Sequence, residues 1–494
     1  MFLLWSSLVL FMSTIQNISA EAVALDINLE KAAHEVSPEF LSVTLDANQI
    51  RYGYRFIRFK SKKLNTLMRG LTCEGCEFYL RHGGTWQDHT YFDPSPAGYG
   101  IIPPDPRIYV LNTTMLDDLY SFTNRYGWKL IIGLNALMRK PDGSWDSKNA
   151  RSLIKHALRK GYKIHYELGN EPDLYRPHAG VYVAPEQLGK DFDTLRKILQ
   201  DLTGGKSKVI GPDISTPMWQ NNYFERLLRA VPTGVLDAVT VHQYYSSSEG
   251  VSASDFTHVE YLDLLQVKMN KFKDIINNSY NNRKQTPIWI GETSSTYGGG
   301  APELGESFAA GYLWLDKLGL AAQMNFSVVL RQTLKGGFYS LIKKGTWDDE
   351  PNPDMWISMI YKRIVGQRVL YLSGFLEYGR SIRVYAHCIS ISSKKIYGSN
   401  AIALIALNTK NDGAELVFTN PHLRNAEVDQ FLFTSAFGKL TDLYIRMNGQ
   451  IMKLVDDTTL PNMEPMVVRA PLYLPPKSYG IFVLKNIPAP ACHY

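Results

Sequence analysis

A chain of 494 residues has room for two or three domains, or for one large domain with an appendage. Hydrophobic residues at 45% and charged residues at 20%, with 29 Tyr, 21 Phe and 9 Trp, exclude a disordered, collagenous or coiled-coil protein. The 53 Lys+Arg against 47 Asp+Glu leave a net charge of +6, which suits an acidic partner but falls short of a nucleic-acid binder.

In chain order, residues 1–20 contain no charged side chain, and their apolar run, 2–12, is too short to span a bilayer. They read as a secretory signal cut after Ala20, although the usual Lys or Arg near the start is missing. No later stretch reaches the roughly 18 uninterrupted apolar residues of a membrane helix. A secreted or lysosomal protein without a membrane span is therefore expected, and sequons at Asn112, Asn277 and Asn325 agree with that route. Asn325 abuts a predicted strand, which limits access to it.

Residues 21–36 alternate Val23, Leu25, Ile27 and Leu29, the pattern of a strand able to join a distant sheet. Over 37–366, short apolar runs alternate with helical-period segments, at 40–45, 78–80, 130–134, 164–168, 209–211, 238–241, 288–290 and 327–330. Eight such units predict an α/β fold, a (β/α)8 TIM barrel. Over 367–494 the runs become strand-like, at 382–387, 402–407, 415–419, 430–434 and 480–484, with Asn448-Gly449 as a hairpin signal. This reads as a C-terminal β-sandwich that also takes the N-terminal strand.

Chemistry enters at two strand ends. The fourth run closes on Glu167-Leu168-Gly169-Asn170-Glu171-Pro172 and the seventh on Ile290-Gly291-Glu292-Thr293. In a parallel barrel both Glu171 and Glu292 reach the C-terminal face, where active sites form. Hydrolysis of a glycoside needs such a pair: one carboxylic acid protonates the leaving oxygen, and the other carboxylate attacks the anomeric carbon or activates water. The Asn170 amide beside the acid is placed to meet a sugar 2-OH.

With these motifs, the chain resembles the heparanase-type endo-β-glucuronidases of glycoside hydrolase family 79 along nearly its whole mature length. The resemblance is carried by Thr44-Leu45-Asp46-Ala47-Asn48, Arg81-His82-Gly83-Gly84-Thr85, Gly133-Leu134-Asn135-Ala136-Leu137, the YELGNEP stretch, Gly211-Pro212-Asp213, His242-Gln243-Tyr244-Tyr245, GETSSTYGGGAP and WLDKLGL. It implies Glu171 as general acid/base and Glu292 as the nucleophile of a retaining mechanism. It implies Tyr244 as the phenol holding Glu292, and Asp46, Asn48 and Thr85 as binders of uronic-acid hydroxyls. Gly337 and Tyr339 would take the glucuronate carboxylate, Tyr297, Gly298 and Gly299 would form the leaving-group side, and His242 and Gln332 complete the substrate-binding set. A glycosaminoglycan partner, a monomer, and neither cofactor nor metal are expected.

Departures from the family pattern bear on specificity. The excisable linker and basic segment of precursor-forming members are absent between Thr85 and Leu130, so no activating cleavage is implied. After Asp213 stand Ser215, Thr216, Pro217, Met218 and Trp219 where heparan sulfate enzymes present Gln and basic residues. The loop from Gln332 to Tyr339, with His242-Gln243-Tyr244 and Glu350-Pro351-Asn352-Pro353, is similar to the leech hyaluronidases. Against this, residues 51–63, RYGYRFIRFKSKK, hold six cations, Arg51, Arg55, Arg58, Lys60, Lys62 and Lys63, and no acid. Following the first strand, they are expected to open on the catalytic face and supply sulfate contacts, which places heparan sulfate ahead of hyaluronan. The other reading is a solvated helix face. A more remote alternative is a catalytically dead polysaccharide binder, which the intact Glu292 motif argues against.

Cys388 and Cys492 match the disulfide of the family's sandwich. Cys73 and Cys76 form a lone CxxC without a second pair or a spaced His cluster, so a tight local disulfide and free thiols both remain open and zinc is disfavoured.

Overall fold

A computed structural model of the chain describes residues 20–95, 107–216, 222–280, 286–345, 348–374 and 377–493. The N-terminal stretch expected to be a leader, apart from Ala20, and the pair Met218 and Trp219 therefore lie outside the described residues. Eight parallel strands, β1 (Leu41–Asp46), β2 (Tyr79–Gly83), β3 (Lys129–Leu134), β4 (Ile164–Leu168), β5 (Val209–Ile214), β6 (Ala238–Gln243), β7 (Ile288–Thr293) and β8 (Val328–Arg331), close into a barrel in chain order. β8 pairs back onto β1, Val329 opposite Leu41. This is the expected TIM barrel.

Six strands outrun the apolar runs that announced them, β1 and β8 by a single residue each, Asp46 and Arg331. β2 continues through Arg81 and His82, β5 through Asp213, β6 through His242 and Gln243, and β7 through Glu292. Hydrophobic periodicity marks only the part of a strand packed against apolar neighbours. The polar extensions all lie at the C-terminal end of the barrel. At its other end the interior is plugged by Tyr79, Ile131, Ile210, Ala238, Trp289, Val328 and Leu330, all essentially buried, the layered filling usual for such barrels.

After the barrel the chain builds a large antiparallel sheet. Its central strands, Ile382–Ile389, Ala401–Asn408 and Ser478–Lys485, are apolar at nearly every position because both faces are covered. Val384, Ala386, Leu404 and Phe482 face a three-stranded sheet made of Glu21–Leu25, Ala414–Phe418 and Leu472–Leu474. Tyr385, Ile405 and Tyr479 turn the other way, into the core shared with the barrel helices. The helix Phe308–Gln323 lies between sheet and barrel and is buried on all sides. At Gly319 a Cβ would stand 2.0 Å from the Tyr385 ring, so only glycine allows that approach.

The N-terminal alternation resolves into two strands. Glu21–Leu25 pairs parallel with Ala414–Phe418, and Ile27–Glu35 pairs antiparallel with Val365–Leu372, so the segment serves both sheets of the sandwich. Asn448 and Gly449, both at positive φ, form the two-residue turn between Ile445–Met447 and Gln450–Ile451. Cys388 is bonded to Cys492, and of the two readings of the CxxC the local disulfide Cys73–Cys76 is the one found. Asn112 is 2% exposed and caps the helix Thr113–Arg125 through its side-chain oxygen. Asn277 and Asn325 are exposed, and Asn325 is accessible because it occupies a left-handed turn ahead of β8 rather than the strand. Among the described residues no helix is long and apolar enough to cross a membrane.

Candidate active site

A cavity of about 630 Å³ opens at the C-terminal end of the barrel. Asp46, Asn48, Thr85, Glu171, Tyr244, Glu292, Tyr297, Gly298, Gly299, Gln332, Gly337 and Tyr339 all line it. Twelve positions singled out from sequence thus converge on one space. Asn170 and His242 do not reach the lining; both are buried behind Glu171.

Glu171 follows β4 at a positive φ of 48°, its N–H donating to the Asp213 carbonyl at 3.0 Å. Gly169 makes the turn possible, since a Cβ there would meet the Tyr175 hydroxyl at 2.2 Å. The Glu171 carboxyl meets His242 Nδ1 at 2.9 Å. Burial raises its pKa above the usual carboxylate range, with the neighbouring Glu292 adding to the rise and His242 opposing it.

Glu292, on β7, is held from two sides. The Tyr244 phenol donates to Oε1 at 2.7 Å, and Arg81 Nη1 donates to Oε2 at 2.8 Å. One carboxylate oxygen of Glu171, one of Glu292 and a ring nitrogen of His242 lie within 4.8 Å of one another. This trio has the donor types of a metal site. Glu292 is, however, already engaged by a cation and a phenol, and Glu171 by His242.

Beneath the pair lies a cage in which Arg81, Glu167 and Asp213, given no role from sequence, join His242 and Asn170, which were expected to bind substrate. Arg81, wholly buried on β2, donates through Nε to Glu167 (2.6 Å), through Nη1 to Glu292, and through Nη2 to Asn170 Oδ1 (2.9 Å) and Asp213 Oδ2 (3.3 Å). His242 Nε2 stands 3.2 Å from the other Asp213 oxygen. Burial pulls the His242 pKa down, but Glu292, Asp213 and Glu171 more than offset it and push it up to about 10. Asp213 is held below the usual range: burial would raise it, and Arg81 and His242 prevail. The signal for these residues was present as charged side chains interrupting strands that otherwise read as apolar.

The cavity walls are equally organised. Asp46 accepts the Asn48 N–H (2.8 Å) and the Gln332 amide (2.9 Å). Burial pushes its pKa up to about 6, with Glu292 contributing. Lys268, on the helix Val259–Ser279, also reaches the lining and donates to the carbonyls of Tyr244 (2.5 Å) and Tyr245 (3.2 Å). None of the six cations of residues 51–63 is in the lining. The expectation that they furnish the cleft is corrected: Arg58 pairs with Asp349 (3.3 Å), and Lys63 with Asp348 (2.8 Å) and Glu350 (2.7 Å), an acidic segment folded across from them.

Comparison with known proteins gives the same orientation. The model of the glycosyl hydrolase family 79 N-terminal domain matches residues 109–319. A heparanase from Bos taurus is 37% identical over 96% of this chain and 93% of its own length. A hyaluronoglucuronidase from Hirudo nipponia is 30% identical over 95% of this chain and 99% of its own. Among solved structures, a 4-O-α-L-rhamnosyl-β-D-glucuronidase from Fusarium oxysporum superposes with a TM-score of 0.68 at 14% identity, over 94% of this chain and all of that one; at that identity the likeness is one of fold.

Proposed function

The chain belongs to glycosyl hydrolase family 79 and is a glycoside hydrolase of the endoglucuronidase kind; on that premise we propose that it is a retaining endo-β-D-glucuronidase cleaving internal glucuronide bonds of a glycosaminoglycan. The observation that carries the reading is the Glu171–Glu292 pair, with carboxylate oxygens within 4.8 Å of each other across one cavity. That closeness supports a retaining pair, for which about 5–5.5 Å separates the carboxyl groups, over an inverting one at about 6.5–9.5 Å.

In this mechanism Glu171, kept protonated by burial, gives its proton to the leaving oxygen. Glu292, its charge steadied by Arg81 and Tyr244, attacks the anomeric carbon and forms a glycosyl-enzyme. Glu171, now a carboxylate, takes a proton from the incoming water, which displaces Glu292. Arg81 fixes the Asn170 oxygen, so any contact of Asn170 with the sugar 2-OH falls to its amide nitrogen. Asp46, Asn48 and Thr85 bind hydroxyls, Gly337 and Tyr339 the glucuronate carboxylate, and Tyr297, Gly298 and Gly299 the leaving-group side. The apolar leader and the exposed sequons at Asn277 and Asn325 support secretion or a lysosomal destination; Asn112, buried as a helix cap, drops out of the expected set.

Heparan sulfate is the favoured substrate, on the strength of the heparanase relatives. Hyaluronan is the second reading, favoured by the absence of residues 51–63 from the cavity. Purified protein is incubated with each polymer, followed by product sizing, reducing-end analysis and NMR of the first-formed anomer. Glucuronate at the new reducing end, in the β configuration, is expected, with Glu292→Gln losing about a thousandfold or more in turnover. Inversion at the anomeric carbon, or wild-type turnover by Glu292→Gln, would refute the assignment.

A further inference from the structure

The catalytic reading leaves residues 51–63 unused, and the structure divides them. Arg58 and Lys63 are tied to the acidic segment Asp348, Asp349 and Glu350. The part nearer β1 is arranged differently. Ile50, Tyr54 and Ile57 are buried anchors, with the Tyr54 hydroxyl 3.0 Å from His82 Nε2. Gly53, in the left-handed region, turns the chain between them, so that Arg51, Tyr52 and Arg55 stay exposed.

These side chains form a ladder. The Arg55 guanidinium lies 5.3 Å from the Tyr52 ring centre and 5.0 Å from that of Phe56, and the two rings meet edge to face at 5.0 Å. Arg51 stands 6.0 Å from the Tyr52 centroid and reaches the Tyr109 phenol on its other side. Tyr109 in turn stacks on Trp86, centroids 4.7 Å apart and planes 9° from parallel. Trp86 is part of the cavity wall. Side-chain contacts therefore run from the cavity wall through the buried Tyr109 to the outer surface, where Arg51, Tyr52 and Arg55 are the exposed rungs.

We propose that this ladder is a binding ridge for a sulfated polysaccharide, engaging sugars of a chain whose scissile bond lies in the cavity; the proposal rests on the glycosaminoglycan reading above. A guanidinium laid against an aromatic face has one side shielded from water and its orientation fixed. Its N–H fork is then left to grip a sulfate bidentately, as it would a phosphate or carboxylate. Residues 47–73 contain no acidic side chain, and the acids folded onto them from 348–350 pair with Arg58 and Lys63. The exposed contacts are screened by salt, so the ridge adds affinity for long, sulfated chains and leaves bond cleavage to the cavity.

The test uses the full chain carrying Arg51→Gln and Arg55→Gln together, beside a control pair, Lys60→Gln with Lys62→Gln. The ridge pair should elute from immobilised heparin at clearly lower salt than wild type. On long heparan sulfate its KM should rise about fivefold to tenfold with kcat unchanged. A short unsulfated glucuronide that fits within the cavity should be cleaved as by wild type. Unchanged heparin retention, or an equal loss in the control pair, overturns the ridge, because the first shows no contact and the second only diffuse charge. If wild type cleaves neither substrate the catalytic reading fails instead, and heparin retention still decides the ridge.

Discussion

The two ends of the barrel interior are built from the same eight strands and have opposite chemistry. At the closed end, Tyr79, Ile131, Trp289 and Leu330 fill the space as an apolar plug. Two residues further along β2, Arg81 replaces Tyr79 as the central side chain. Around Arg81 gather Glu167, Asp213 and His242, as deeply buried as the plug, and Glu292, which opens slightly onto the cavity. The plug is held by the removal of apolar surface from water, which depends on no partner in particular. Each charge of the cage is tolerable only because the others are present, since an unpaired buried charge is strongly destabilising. Burial alone therefore says little about what a position contributes; at one end it stabilises the fold, and at the other it is offset by the charges that hold the Glu292 carboxylate in place.

Cutting each end once sharpens the contrast. Arg81→Met should cost about 3–5 kcal/mol by leaving buried carboxylates unpaired, and Trp289→Ala a similar amount, about 3–5 kcal/mol, through a cavity. The pH dependence separates them. Asp213 has a depressed folded pKa, so its contribution is present above the unfolded carboxylate range and is lost as pH falls through the folded value. Arg81→Met lacks that contribution, so its deficit relative to wild type should shrink in acid, while that of Trp289→Ala should not. Urea unfolding at neutral and acidic pH measures both; parallel pH profiles would mean that the cage is not held by charge.

A smaller effect is expected at Tyr244→Phe, which removes one hydrogen bond to the Glu292 carboxylate. A bond to a charged group is worth about 1.5–3 kcal/mol, so kcat should fall roughly tenfold to a hundredfold with thermal stability retained. A change below about twofold would release Tyr244 from that role. The probe with the smallest expected effect on rate, read instead on the pH profile, is His242→Gln. His242 lowers the pKa of Glu171 against the effect of burial, so its loss should raise that pKa further and move the basic limb of kcat/KM to higher pH. A limb moving to lower pH would show that His242 supports the protonated acid rather than opposing it.

Much of this was legible in the order of residues. Every barrel strand was announced by an apolar run, and both catalytic candidates stand where such runs stop. The cage left only the trace of charged residues at strand ends, and its assembly was not legible, because Arg81 and Asp213 look like the ends of strands when they are their continuation. Glu167 and Glu171 share one motif, and which of them faces the cavity depends on the turn at Gly169. Residues 51–63 were misplaced for another reason: the acids that engage Arg58 and Lys63 lie 285 residues or more away in sequence, and no local pattern reports on such a partner. Met218 and Trp219 lie outside the described residues.

The pairing of the N-terminal strands has a consequence for the order in which the molecule can assemble on the ribosome. Glu21 meets Lys410 across 389 residues, and the strand Glu21–Leu25 finds its neighbour only at Ala414–Phe418. The entire barrel emerges during that wait. Domains generally form as units in the order of synthesis, so the barrel is finished while the first strands are still without partners, and an open strand edge is a template for pairing with another chain. The cores of Leu25, Ile27 and Leu29 are thus covered last, in the same step that closes the sandwich.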